Sequence, residues 1–199
     1  MKIGIIGTGN IGSAIARAMV RIGQEVTLAN RRGPAALDGL LTELGSKAKA
    51  GTVEEAAKSD IVFVAVNWSK IPEALAGLSN WSGRIVVDAN NPIEAPAFRP
   101  FDLGGRSSSE VFSEFVPGAK VVKAFNHLQP HLLSGDPRAE GGRRVLFLAG
   151  DDAQAKANVS QLISRLGFAA VDLGSLAQGG RLTQFPGGPL PTLNLVKFD

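Results

Sequence analysis

Short apolar runs with the composition of buried strands alternate with stretches of helical period almost to the end of the chain. That alternation marks a parallel α/β sheet, because each strand needs a crossover to carry the chain back to its starting edge. The runs predict strands at Lys2–Ile6, Glu25–Ala29, Lys47–Ala50, Ile61–Val66, Arg84–Asp88, Lys120–Phe125, Arg144–Leu148 and Phe168–Asp172. Between the first two, a helix is predicted from Asn10 to Ile22. Ile11, Ile15, Met19 and Ile22 fall on one of its faces and Arg17 and Arg21 on the other, with Gly23 at the C-cap position. Ser107 and Glu110 make a capping box ahead of Val111, Phe112 and Phe115. Asp152–Leu166, closed by Gly167, predicts another amphipathic helix. Two stretches read as irregular, Asn90–Gly105 and the Gly/Pro-rich Gly179–Pro191, and both are candidates to fold over a site. Leu193–Phe198 fits either a short helix or a short strand.

Composition narrows the chemistry. The chain has 199 residues, 44% of them hydrophobic, which suits a single domain over residues 1–199 with its own core. It contains no Cys, so disulfides, thiolate metal sites and cysteine nucleophiles are excluded, and a reducing, cytoplasmic location is expected. It contains no Tyr either, which excludes the Tyr-x-x-x-Lys proton donor of short-chain dehydrogenases. The N-terminus runs straight into a predicted strand, without the pattern of a signal peptide. No apolar run approaches the roughly 20 residues that span a bilayer, so membrane insertion is not expected. The net charge is only +3 and the basic residues are scattered, so nucleic acid is not expected as a partner.

The segment Gly7-Thr8-Gly9-Asn10-Ile11-Gly12 matches G-x-G-x-x-G. The pattern alone is weak, but here it follows a buried strand, opens an amphipathic helix and precedes a second β-run. Gly7 permits the tight turn, Gly9 lets a pyrophosphate approach the backbone, and Gly12 lets the helix pack closely on the strand. The helix N-terminus then offers free N–H groups and a positive dipole end to phosphates. The expected fold is therefore α/β: a doubly wound, mostly parallel sheet of the NAD(P)-binding Rossmann type, with a small C-terminal extension (about 179–199) closing the site. NAD enzymes usually carry Asp or Glu at the end of the second strand, for the ribose hydroxyls. Here that position is Asn30, 18 residues beyond Gly12, followed by Arg31 and Arg32. A carboxylate would repel a 2′-phosphate, whereas guanidinium groups pair with it bidentately, so NADP(H) is the expected cofactor.

Ligands of open parallel sheets collect beyond the carboxyl ends of the strands. Those ends supply Val66-Asn67-Trp68, Asp88-Ala89-Asn90-Asn91-Pro92 and Ala124-Phe125-Asn126-His127. Asn67, Asn90 and Asn126 are candidates to orient a nicotinamide carboxamide, or are ordinary turn asparagines. Trp68 closes over the ring or belongs to the core. His127 contacts substrate or holds a surface or capping role. It shares a face with His131 if that stretch is helical, but no metal site is expected, since no carboxylate stands in a helpful pattern. With no proton-donor constellation, the sequence favours an acceptor that takes hydride with little acid–base help, such as a flavin or deazaflavin ring. A ketone or imine normally wants a placed acid.

Taken together, these residues resemble the NADPH-dependent oxidoreductases of coenzyme F420, an 8-hydroxy-5-deazaflavin, and the related oxidoreductase domain of the STEAP metalloreductases. The resemblance rests on the glycine loop, Asn30-Arg31-Arg32 and Asp88-Ala89-Asn90-Asn91-Pro92, then on Val122-Lys123-Ala124-Phe125-Asn126, Gly150-Asp151-Asp152 and Val171-Asp172-Leu173-Gly174-Ser175-Leu176. It implies an NADP-binding Rossmann domain with a small C-terminal part, usually a homodimer. It implies cofactor contacts at Thr8, Gly9, Asn10, Ile11, Arg31 and Arg32, and a nicotinamide wall at Val66-Asn67 and Ala124–Asn126. The second partner would be a small redox molecule, coenzyme F420 or FMN/FAD. Two other readings stay open on the residues: a reductase of a small imine or ketone, and a non-catalytic NADP(H)-sensing module.

Overall fold

The computed structural model describes residues 1–78, 81–94 and 97–198. Its main sheet contains β1 (Ile3–Ile6), β2 (Val26–Ala29), β3 (Ala48–Ala50), β4 (Ile61–Val64), β5 (Ile85–Asp88), β6 (Lys120–Ala124), β7 (Gly142–Gly150) and β8 (Ala169–Asp172). The strands lie in the order β8-β7-β6-β5-β4-β1-β2-β3. From β6 through β3 every neighbouring pair is parallel, while β7 runs antiparallel to β6 and β8 pairs parallel to β7. Strand β1 has β2 on one side and β4 on the other, so the topological switch point lies at its carboxyl end. The helices are α1 (Asn10–Arg21), α2 (Asp38–Leu44), α3 (Val53–Ala57), α4 (Ile71–Leu75), α5 (Ser108–Ser113), α6 (Pro130–Ser134), α7 (Ala153–Arg165) and α8 (Gly179–Thr183).

Strand alternation gives each face of the sheet its own core. On one face Ile3, Ile5, Phe63, Val87 and Val122 pack with Ile15 and Met19 of α1 and with Val159, Leu162 and Ile163 of α7. On the other, Ile6, Val62, Val64, Val86 and Val121 pack with Ile71 and Leu75 of α4 and Phe112 of α5. Helix α1 ends as its pattern predicts: Gly23 N–H donates to the Val20 carbonyl at 2.8 Å and Gln24 N–H to the Met19 carbonyl at 3.0 Å, the paired bonds of a Schellman cap. The Ser107–Glu110 capping box forms at α5, and Asp152 caps α7.

Every predicted run is a strand, with shifted ends. Strand β4 stops at Val64 because the chain turns outward into a 3₁₀ turn at Trp68–Lys70. Strand β6 stops at Ala124 because Phe125 takes a left-handed conformation, φ 65°. The stretch Asn90–Gly105 holds a two-residue hairpin, Ile93–Glu94 with Arg99–Pro100; its residues 95 and 96 lie outside the described residues. Gly179–Pro191 is not wholly irregular. Its Gly-Gly start disfavours a helix intrinsically, yet α8 forms because Gly179 sits so close to β7 and Leu173 that an added Cβ would stand 2.7 Å from the Ala149 side chain. Beyond it, Val196–Lys197 is a short strand antiparallel to Arg143–Arg144.

One charged pair holds the carboxyl ends of β5 and β6 together. Asp88 and Lys123 are register partners, and both side chains are fully buried. Lys123 Nζ donates to Asp88 Oδ2 at 3.0 Å and to the Asn90 carbonyl. Burial pulls the Lys123 pKa down while Asp88 pulls it back up. The other Asp88 oxygen accepts from Asn90 N–H at 3.0 Å and from its side-chain amide at 2.9 Å, and Ser109 of α5 also donates to Asp88. Removing one member strands the other charge in the core, which typically costs about 3–5 kcal/mol. Lys123→Met is therefore expected to lower unfolding stability by about that amount in a urea titration. A loss below about 1 kcal/mol would show that the pair contributes little to the fold.

Candidate functional site

The glycine loop sits at the switch point, and its three glycines have different reasons to be there. An added Cβ at Gly7, where φ is +97°, would stand 2.3 Å from the Ala65 carbonyl oxygen. At Gly12 it would stand 1.9 Å from the Gly7 carbonyl oxygen. Both positions are closed to any side chain by the protein itself. Gly9 is different: nothing lies within 4 Å of an added Cβ, and its φ of −75° suits any residue. The fold does not ask for glycine there. The position is open to a ligand lying against the backbone.

Two further features fit a dinucleotide. Gly9 is the N-cap of α1, so no side chain caps that helix, and no acidic residue stands in its first turn. Its N–H groups and positive dipole end remain available to phosphate oxygens. Asn30, at the end of β2, donates from its amide to the Thr8 hydroxyl at 3.2 Å, while its own Oδ1 is buried without a partner. A buried acceptor left unpaired is costly, and a ribose hydroxyl is the donor that this position suits. Thr8, Gly9, Asn30, Arg31, Arg32, Val66 and Asn67 all line one cavity of about 390 Å³. A hollow of about 520 Å³ at the opposite edge, against the amino ends of β1, β2 and β3, has no glycine loop.

Of the residues expected to wall the nicotinamide, Val66 and Asn67 line the cavity beside the glycine loop, whereas Asn126 lies in a hydrogen-bonded corner with Asn91 and the C-terminal segment. Asn126 donates from its amide to Asn91 Oδ1 at 3.0 Å and to the Thr183 carbonyl at 2.7 Å, and its own carbonyl accepts from the Asn91 amide at 2.9 Å. Asn91 Oδ1 also accepts from Phe185 N–H at 3.1 Å, and Thr192 N–H donates to the His127 carbonyl at 2.8 Å. The C-terminal segment is thus bonded onto the carboxyl ends of β5 and β6. Asn126 keeps one free group, a buried Oδ1. Phe125, fully buried and edge-to-face with Phe63 at 5.3 Å, carries the left-handed turn that delivers Asn126 to this corner. A bulky residue held at positive φ is strained and persists only where its surroundings enforce it.

Several sequence expectations take a different form. The Asn90 side chain is engaged at both ends, its Oδ1 accepting from Val66 N–H at 2.8 Å and its amide donating to Asp88. It fixes Val66 from behind, its side chain buried between Val66 and Asp88. Trp68 is only 7% exposed and packs with Val64, Ile71 and Leu75, so it belongs to the core rather than to a lid over the ring. His127 and His131 do not share a helix face, because Pro130 opens α6 between them. His127 is buried against Phe147, ring centroids 4.9 Å apart, and neither ring nitrogen makes a well-formed hydrogen bond. Burial pushes its pKa down to about 4, despite an opposing pull from the Val145 backbone, so the ring is neutral near pH 7. His131 lines a separate hollow beside Thr8, Gly9 and Asn10. Asn91 and Lys123 lie in segments that the sequence singles out, but nothing local gives their bonding roles or that of Ser109. The signal for the buried pair is a lysine flanked by Val122 and Ala124 in a buried strand, opposite an aspartate.

The chain is similar to known proteins over this whole architecture. Residues 2–92 match the family described as NADP oxidoreductase, coenzyme F420-dependent. A protein of Arthrobacter sp. FB24, regarded as a candidate F420-dependent NADP reductase, is 30% identical with a TM-score of 0.78, and the match covers 99% of this chain and 100% of that one. The chain belongs to the coenzyme F420-dependent NADP oxidoreductase family. A hypothetical protein of Sinorhizobium meliloti is 48% identical with a TM-score of 0.93, over 99% of this chain and 96% of that one. Metalloreductase STEAP3 of Rattus norvegicus is 32% identical over 192 residues, 96% of this chain. The family member described here spans only 37% of that metalloreductase's length. No helix among the described residues is long and apolar enough to cross a membrane.

Because the space at Gly9 is empty of protein, Gly9→Val is expected to leave the thermal unfolding midpoint within about 3 °C of wild type, as surface changes of ±0.5 kcal/mol do. The same variant should lose NADPH binding in a fluorescence titration. Retained binding would show that the loop does not carry the pyrophosphate.

Proposed function

We propose that the protein is an NADPH-dependent reductase that passes hydride to a deazaflavin or flavin ring held beside the nicotinamide. The observation that carries the cofactor assignment is the space left open at Gly9, beside the unpaired oxygen of Asn30 and ahead of Arg31 and Arg32. When bound, NADPH supplies the hydride. Thr8, Gly9, Asn10 and Ile11 would hold its pyrophosphate, Asn30 its ribose, and Arg31 with Arg32 its 2′-phosphate. Val66, Asn67, Pro92, Ala124 and Asn126 would shape the place of its ring.

Two groups beside this corner that could carry a proton are withdrawn into the core. Lys123 is fully buried on Asp88, and His127 is buried and neutral near pH 7. A carbonyl or imine substrate wants an acid at the reacting atom. A flavin-type ring accepts hydride when it is merely held in place, so positioning by this corner would supply most of the catalysis. Membership of the F420-linked family and likeness to part of a metalloreductase support the same class of acceptor.

Anaerobic NADPH oxidation followed at 340 nm, with F420, FMN, FAD and riboflavin offered in turn, tests this reading. Saturable turnover is expected with one of them, with NADH a much poorer donor. Tight NADPH binding without turnover on any ring would contradict it and favour an NADP(H)-sensing module.

A further inference from the structure

The cavity beside Gly9 ends on charged side chains that the glycine loop does not supply. Lys70 lies in the 3₁₀ turn after β4 and Glu73 in α4, and both line the cavity with Asn30, Arg31 and Arg32. One Glu73 oxygen accepts from Arg31 Nη1 at 3.2 Å, and the other from Lys70 Nζ at 3.5 Å. Arg31 and Glu73 are 42 residues apart in sequence, so the fold itself brings them together. Two oxygens of one anion bridging two cations from different elements is also the arrangement a phosphate would make with them.

All three side chains are at least half exposed, at 68% for Arg31, 51% for Glu73 and 52% for Lys70. Exposed pairs of this kind contribute little to folding and rearrange readily. Arg31 foremost, and then Lys70, holds the Glu73 carboxyl below the ordinary glutamate range. It therefore stands in the cavity as an anion at neutral pH. A 2′-phosphate arriving between the same cations would meet that negative charge, and both cannot keep the same partners.

We propose that the Arg31–Glu73–Lys70 bridge is the resting state of the 2′-phosphate site, with Lys70 a phosphate ligand beside Arg31 and Glu73 an internal anion that the phosphate displaces. The proposal rests on the NADP(H) reading above. Glu73 then sets the strength of NADPH binding. It occupies Arg31 and Lys70 between binding events and opposes the phosphate by about as much as the two contacts it gives up. A cofactor without the 2′-phosphate leaves the bridge in place, so Lys70 and Glu73 act on discrimination between NADPH and NADH rather than on dinucleotide binding as such.

Fluorescence titrations of NADPH and NADH against wild type, Lys70→Gln, Glu73→Gln and the double variant Arg31→Ala with Arg32→Ala test it. Lys70→Gln is expected to weaken NADPH about 5- to 10-fold, as loss of one charge-assisted contact does, and to flatten the salt dependence of its binding. Glu73→Gln is expected to tighten NADPH by about 2- to 5-fold. NADH binding should stay within about twofold in both, since it lacks the 2′-phosphate that these groups read. Either variant falling outside its expectation overturns the proposal, and so does weaker NADPH binding in Glu73→Gln, which would make the carboxylate an organiser of Arg31. If the double arginine variant loses the NADPH preference while Lys70→Gln and Glu73→Gln change nothing, only this proposal falls. If wild type shows no preference for NADPH, the cofactor reading falls and takes the proposal with it.

Discussion

A lysine and an aspartate with no contact with solvent sit opposite each other at the carboxyl ends of two neighbouring strands, and the candidate site is built outward from them. Two charges in a core are tolerated only when paired and further hydrogen-bonded, and here the remaining bonds go to the loop that follows β5. Lys123 takes the Asn90 carbonyl, Asp88 takes the Asn90 N–H and amide, and Asn90 passes the constraint on to Val66 at the end of β4. Three strand ends are thereby fixed relative to one another. Asn91, the next residue, is left facing Asn126 and the C-terminal segment, where it closes the corner.

The other half of the site is governed by what is left unmade. Helix α1 carries no side-chain cap, Asn30 has an unpaired buried oxygen, and Gly9 faces open space. Helices α3, α5 and α7 are capped by Thr52, Ser107 and Asp152, whereas α1 opens on a glycine that leaves its first N–H groups without a side-chain partner. Each half of the candidate site keeps one unpaired buried amide oxygen, Asn126 Oδ1 at the Asn91 corner and Asn30 Oδ1 beside the glycine loop.

Much of this was legible from the residues because local signals and tertiary demands agreed. The strand runs, the Gly23 and Gly167 helix ends, the Ser107–Glu110 box and the glycine loop each have a local physical cause that the fold preserves. The failures have causes too. For Trp68 and Asn90 the sequence leaves a site role and a structural role both open, because position along a strand does not say which way a side chain is used. Asn90 turned inward because Asp88 needed donors, a demand set by a lysine 33 residues later. Lys70 and Glu73 have no motif, and only the return of the chain after β4 sets them against Arg31. Helix α8 begins with two glycines and owes its existence to close packing rather than to propensity.

The most direct measurement is the structure of the protein crystallised with NADP+. The account predicts the pyrophosphate over Gly9 and Asn10, a ribose hydroxyl on Asn30 Oδ1, and the 2′-phosphate between Arg31 and Lys70 with Glu73 turned away. A dinucleotide lodged elsewhere, for example in the lysine-bearing hollow at the amino ends of β1, β2 and β3, would contradict it.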